Sequence, residues 1–174
     1  AVGYSAGESV TTGISNTLIG GLTGDALTDA DQNVAVGNAA LGTDTLGSKS
    51  TAIGTNALAD QNFTTATDTY NTAVGYNAGA ATTTGVNNTL IGGLTGDAIT
   101  TGERNTAVGS NSLTSNTTAA ANTAIGFKSL ENNTTGASNT ALGQDSLRAN
   151  TTAANNTAVG MDALTANTTG TANT

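Results

Sequence analysis

The residues able to do chemistry in this chain are few, and their types narrow the choice. There is no His and no Cys, which excludes a Ser-His triad, a thiol nucleophile and the usual zinc sites. Twelve carboxylates remain. A glycosidase needs two of them facing one groove; Asp29 and Asp31 are the only close pair, and no neighbouring segment supplies a matching one. The stretch Gly20-Gly21-Leu22-Thr23-Gly24 has the glycines of a phosphate loop but lacks the Lys and the helix that must follow. With Asp25 it reads Gly-Gly-x-x-Gly-Asp, where calcium repeats read Gly-Gly-x-Gly-x-Asp; an Asp in a turn is the simpler reading. The expectation is a chain that is not an enzyme, with no catalytic residue, no cofactor and no metal.

What the chain does have is a period. Asn-Thr-Ala-Val-Gly, or a near copy, starts at Asn71, Asn88, Asn105, Asn122, Asn139 and Asn156, each 17 residues after the last. Asn16, Asn33 and Ser50 continue the register upstream, and Val2-Gly3 ends a partial copy. Only the step from Ser50 to Asn71 differs, at 21 residues. So short a fixed period means a solenoid, because one turn cannot bury its own apolar face. Counted from the Asn, position 4 is always branched and apolar, and position 5 is always Gly: Gly3, Gly20, Gly37, Gly54, Gly75, Gly92, Gly109, Gly126, Gly143 and Gly160. That is a short strand closed by a tight corner. Position 9 is Leu in six copies, and positions 12 to 15 read Asn-Thr-Thr-Gly or Asn-Thr-Thr-Ala in the later ones, which is turn chemistry. Helix is excluded by the Gly, Asn and Thr content.

The fold expected is all-β: a parallel β-solenoid of about ten 17-residue turns, one repeat array over residues 1–174. Each turn measures about 56 Å around, and ten stack to a rod on the order of 48 Å. Stacking sets like residues above one another. Asn16, Asn33, Asn71, Asn88, Asn105, Asn122, Asn139 and Asn156 should form an amide ladder, with Thr ladders at positions 2, 13 and 14. In residues 16–26 and 88–98 the position-9 Leu is Gly24 or Gly96, and Leu27 or Ile99 appears at position 12, which predicts a different corner. The four extra residues fall within residues 59–70, as an insertion on one face.

Position 4 and the position-9 Leu are little apolar area per turn. At ~25 cal/mol per Å² they compete poorly with ~1–2 kcal/mol of backbone entropy per residue. Burial of the Ala and Val faces against copies of the same chain is expected, hence a homo-oligomer. The aromatics are candidate partner contacts: Tyr4, Tyr76 and Phe127 at position 6, and Phe63 and Tyr70 in the insertion. Exposed aromatics grip a glycan or protein partner, or pack between subunits. Thr117, Thr134, Thr151 and Thr168, beside Thr118, Thr135, Thr152 and Thr169, raise ice binding as an alternative.

Asn-Thr-Ala-Val-Gly-Tyr-Asn-Ala, residues 71–78, resembles the head repeat of trimeric autotransporter adhesins. The 17-residue version with Asn-Thr-Thr-Gly is similar to repeats in bacterial surface and tail-fibre-like proteins that end in a self-cleaving chaperone domain. The resemblance implies a left-handed parallel β-roll, three chains side by side, and an adhesive or fibre-forming role, with a phage-type tail fibre shaft as the alternative. It places the chain at an extracellular bacterial surface or on a virion tail, with a cell-surface glycan or protein as a further partner.

Composition agrees with that setting. The net charge is −8, and the four cations, Lys49, Arg104, Lys128 and Arg148, are scattered, so the cationic stripe of a nucleic-acid binder is missing. No apolar run approaches the ~20 residues of a membrane helix, and no membrane contact is expected. The chain starts and stops within a repeat, and the expectation is a segment of a longer fibre.

Overall fold

The computed structural model describes residues 1–174. It is a parallel β-solenoid without helix. Nine short strands stack in one sheet: β1 (Thr17–Ile19), β2 (Val34–Val36), β4 (Thr51–Ile53), β6 (Thr72–Val74), β7 (Thr89–Ile91), β8 (Thr106–Val108), β9 (Thr123–Ile125), β10 (Thr140–Leu142) and β11 (Thr157–Val159). All pair in parallel with like positions opposite, as in Ala107↔Ala124 and Val108↔Ile125. A second, two-stranded sheet pairs β3 (Gly47–Ser48) with β5 (Thr67–Asp68). Nine stacked strands enclose about eight circuits, not ten. The first copy adds only the single bridge Val2↔Ile19, and the last stops at Thr174.

The strands place the core differently from the expectation. In Thr-Ala-Val the middle residue points inward: position 3 is buried in every strand, as Ala in seven and as Leu18 and Leu90 in two. The branched residue of position 4 points outward. Inside the solenoid with position 3 lie position 8, always small, and the position-9 leucines Leu41, Leu58, Leu113, Leu130 and Leu147. The cross-section is too narrow for a branched residue opposite Leu, so the smaller side chain faces in.

The backbone closes each circuit through left-handed residues that the composition did not announce. Positions 7, 9 and 17 have φ near +50 to +63° in turn after turn, as at Asn111, Leu113 and Ala121. A non-glycine residue there costs about 1 kcal/mol. The return is that its N–H points along the stack: Asn111 N–H donates to Gly93 O (3.1 Å), Leu113 N–H to Ser129 O (3.0 Å) and Ala121 N–H to Glu103 O (3.0 Å). Every turn is thereby bonded to the turns on either side.

Position 5 needs glycine for two reasons. Its φ lies between 125 and 141°, and a Cβ at Gly3 through Gly143 would sit 2.2–2.7 Å from the backbone of the next corner glycine. The corners of residues 16–26 and 88–98 are not different after all. Gly24 and Gly96 keep φ of 54 and 56°, close to Leu113 at 55°. Only the filling changes. A Cβ at Gly24 would lie 2.8 Å from Leu18 and from Leu27, and one at Gly96 2.8 Å from Ile99. Leu at position 3, with Leu27 or Ile99 at position 12, thus occupies the volume that Leu of position 9 fills elsewhere.

Candidate functional site: the outer face of the sheet

The nine-stranded sheet turns positions 2 and 4 to solvent. Position 2 is Thr in eight strands and Val34 in β2. Position 4 forms an unbroken column of branched apolar side chains. Ile19, Ile53, Ile91, Ile125 and Leu142 are 37–45% exposed, and Val36, Val74 and Val108 are half-buried. A contiguous exposed apolar column of this kind, rimmed by polar Thr, marks an interaction surface.

The face has two margins. Position 17 precedes each strand, and position 6 follows the corner glycine. Tyr4, Tyr76 and Phe127 stand exposed on the second margin, and Tyr70 on the first. Lys128 lies 5.5 Å from the ring centre of Phe127, and Lys49 5.3 Å from that of Tyr70. Phe63 is the exception among the aromatics. It is 7% exposed, so it offers little to a partner. An aromatic in an inserted loop reads as exposed because insertions map to surface, but here residues 64–66 are exposed and Phe63 is buried.

The amide ladder forms as the spacing implies. Asn122 Oδ1 accepts from Asn139 N–H (2.9 Å), and its Nδ2 donates to Gly136 O (2.9 Å). The same pair of bonds recurs at Asn33, Asn71, Asn88, Asn105 and Asn139, and Asn16 and Asn156 accept from the next turn likewise. Ser50 interrupts it. Gln61, fully buried, spans the gap: Nε2 donates to Ser50 Oγ (2.8 Å) and Asp44 Oδ2 (2.6 Å), and Oε1 accepts from Asn71 (2.8 Å). A second ladder at position 12 was missed. Asn116, Asn133, Asn150 and Asn167 bond turn to turn at 2.9–3.2 Å and each donates to a carbonyl three residues on. Its signal was present in the repeated Asn-Thr-Thr, which reads equally as turn chemistry.

Thr ladders exist at position 13 only. Thr100, Thr117, Thr134 and Thr151 donate to the carbonyl of the next turn. The hydroxyls of position 2 bond nothing from turn to turn, and of those at position 14 only Thr12 does, donating to Asp29 Oδ1 of the next turn (2.5 Å).

Charge is local. Asp44 is buried without a cation. Burial pushes its carboxyl above the usual carboxylate range, against hydrogen bonds from Phe63 N–H, Gln61 and Gly47 N–H that pull it down. Burial likewise raises Asp97, whose Oδ1 has no partner. Asp68 is held low by its hydrogen bond from Lys49. An open depression of ≈ 300 Å³ between Leu22, Asp25, Ala39, Gly42, Ala59 and Asp60 lies on another face. No three metal-ligating side chains gather anywhere, and no helix is long and apolar enough to cross a membrane. Compared with family models, curated proteins and solved structures, the chain matches none.

Proposed function

We propose that this chain is a non-catalytic structural and adhesive module of an extracellular surface fibre or filament, mediating attachment to cells or surfaces. It works as a homo-oligomer, three chains side by side, each laying the outer face of its sheet against the next. The observation that carries this reading is the column at position 4. A branched apolar side chain from every strand of the sheet is unpartnered in the single chain, and a partner of matching length and period covers them all. A second copy has both. The resemblance to trimeric autotransporter adhesin heads supplies the number three and the adhesive role, and the same physics serves a phage-type tail fibre shaft.

Light scattering coupled to small-angle X-ray scattering tests it. The expected result is a rod with the mass of three chains, reduced to one chain by Val108→Asp with Ile125→Asp while the circular dichroism stays unchanged. A monomeric rod in the unaltered protein would sink the reading.

One observation favours a second reading. The Thr column of position 2 lies beside the apolar column of position 4 on one flat face, a better array for ordering water as ice than the corner threonines at positions 13 and 14. Ice binding then belongs to a monomer, and thermal hysteresis in a monomeric sample is its mark.

A further inference from the structure

The outer face is nearly the same in every turn. Two copies lying on it can slip by one turn, about 4.8 Å, and meet like partners again. Such a surface chooses its neighbour but leaves the register weakly specified. Register must come from whatever is singular along the margins. On the leading margin, position 17, Tyr70 is the only aromatic; the trailing margin, position 6, carries Tyr4, Tyr76 and Phe127. Only the turn of β6 has an aromatic on both. There Tyr70, Thr72, Val74 and Tyr76 follow at every second residue across the face, and the two tyrosines are 54% and 59% exposed. Tyr70 is also held in place. Its hydroxyl donates to Asp68 (3.2 Å), and Lys49 Nζ reaches that hydroxyl (3.4 Å) as well as the ring. An exposed aromatic already ordered in this way loses little entropy on contact.

Symmetry decides what the tyrosines meet. A rotation axis parallel to the stack sets the trailing margin of one chain against the leading margin of the next, at equal height. An antiparallel pair sets leading against leading. We propose that Tyr70 and Tyr76 form an aromatic key that locks copies of this chain side by side, parallel and in register, with Tyr76 of each packed on Tyr70 of the next. The contact is head-to-tail around a closed ring. The inference rests on self-association through the sheet face.

The chain has no Cys, so thiols can be placed where the geometry asks. Asn87 and Gly93 occupy the same two margins one turn further on, and a Cβ at Gly93 meets nothing within 4 Å. Within one chain the two sites are roughly 20 Å apart, beyond a short linker. Asn87→Cys with Gly93→Cys, treated with a short bismaleimide, is expected to close into a covalent oligomer of the mass found by light scattering, while either single variant stays uncross-linked. Adding Tyr70→Ala and Tyr76→Ala should cut cross-linking several-fold while the assembled mass persists. Dissociation of that variant would equally place the tyrosines in the contact. Cross-linking by Asn87→Cys alone would mean antiparallel pairing and overturn the inference. So would an assembled pair variant that fails to cross-link, or a yield indifferent to the tyrosines. A monomeric parent removes the self-association reading and the key together; an oligomeric parent with the wrong cross-links removes only the key.

Discussion

Asn122→Ala tests whether the amide ladder holds the stack together. Asn122 is 1% exposed and Asn139 is fully buried. The change removes the acceptor of Asn139 N–H and the donor to Gly136 O, with nothing in the alanine to replace either. Asn139 Nδ2 also loses a contact at 3.3 Å but keeps Ala153 O. Gly136 O keeps its bond from Asn133 Nδ2 (2.9 Å), so the Asn139 N–H is the one backbone group left without a partner. An orphaned group away from water costs about 1–3 kcal/mol, and with the lost bonds to Gly136 and Asn139 Nδ2 the total should be about 2–4 kcal/mol. Thr118→Ala is the control: its side chain is exposed and unbonded, and it should stay within about 0.5 kcal/mol. Urea unfolding followed by circular dichroism at one protein concentration gives the comparison, the fixed concentration holding any contribution from association equal between the variants. Each turn touches only its neighbours, so the damage should be local. Hydrogen exchange at the Asn139 amide should quicken by about 30-fold to 10³-fold, at 1.4 kcal/mol per decade. A loss below about 1 kcal/mol with Asn139 still protected would refute the idea that the ladder carries stability.

Three further outcomes follow from the same physics. Gly109→Ala should abolish the stack or cost more than about 3 kcal/mol, because its Cβ would lie 2.5 Å from Gly126 O at a φ of 134°; Gly93→Ala, in open space, should be near neutral in the same melt. Leu113→Ala should cost about 2–5 kcal/mol in urea, since Leu113 is fully buried and the rigid stack cannot collapse onto the void. The folded state raises the pKa of Asp44, so its contribution is greatest below the ordinary carboxylate range and fades as pH rises through the raised value. Acidification from pH 7 should therefore raise the urea midpoint of the unaltered protein more than that of Asp44→Asn; equal shifts would mean that Asp44 is not the group responsible.

The solenoid was legible because a strict period is itself a structural statement. Like residues 17 apart must stack, and the Asn ladder and the corner glycines follow from that without knowledge of the path between them. The interruption was legible too, as a 21-residue step. Its repair was not: nothing local marks Gln61 as the bridge across Ser50, because the two are neighbours only once the turn has closed. The left-handed residues were equally hidden. Leu113 and Ala121 carry no composition signal for positive φ, and Asn111 only the general tolerance of Asn for it; they adopt it because the N–H bonds to adjacent turns outweigh the local strain.

The proposed site shows the division most clearly. By itself, the sequence determined that each turn holds a short strand with an apolar residue at positions 3 and 4. Hydropathy places the larger one inside. Only the tertiary structure decided the reverse, because the volume enclosed by a 17-residue turn is already occupied by Leu of position 9. The alanine that fits turns in, and Val or Ile is left facing out in a column. Side-chain direction in so short a strand is set by the room inside the closed turn, a quantity that exists only after every turn has stacked.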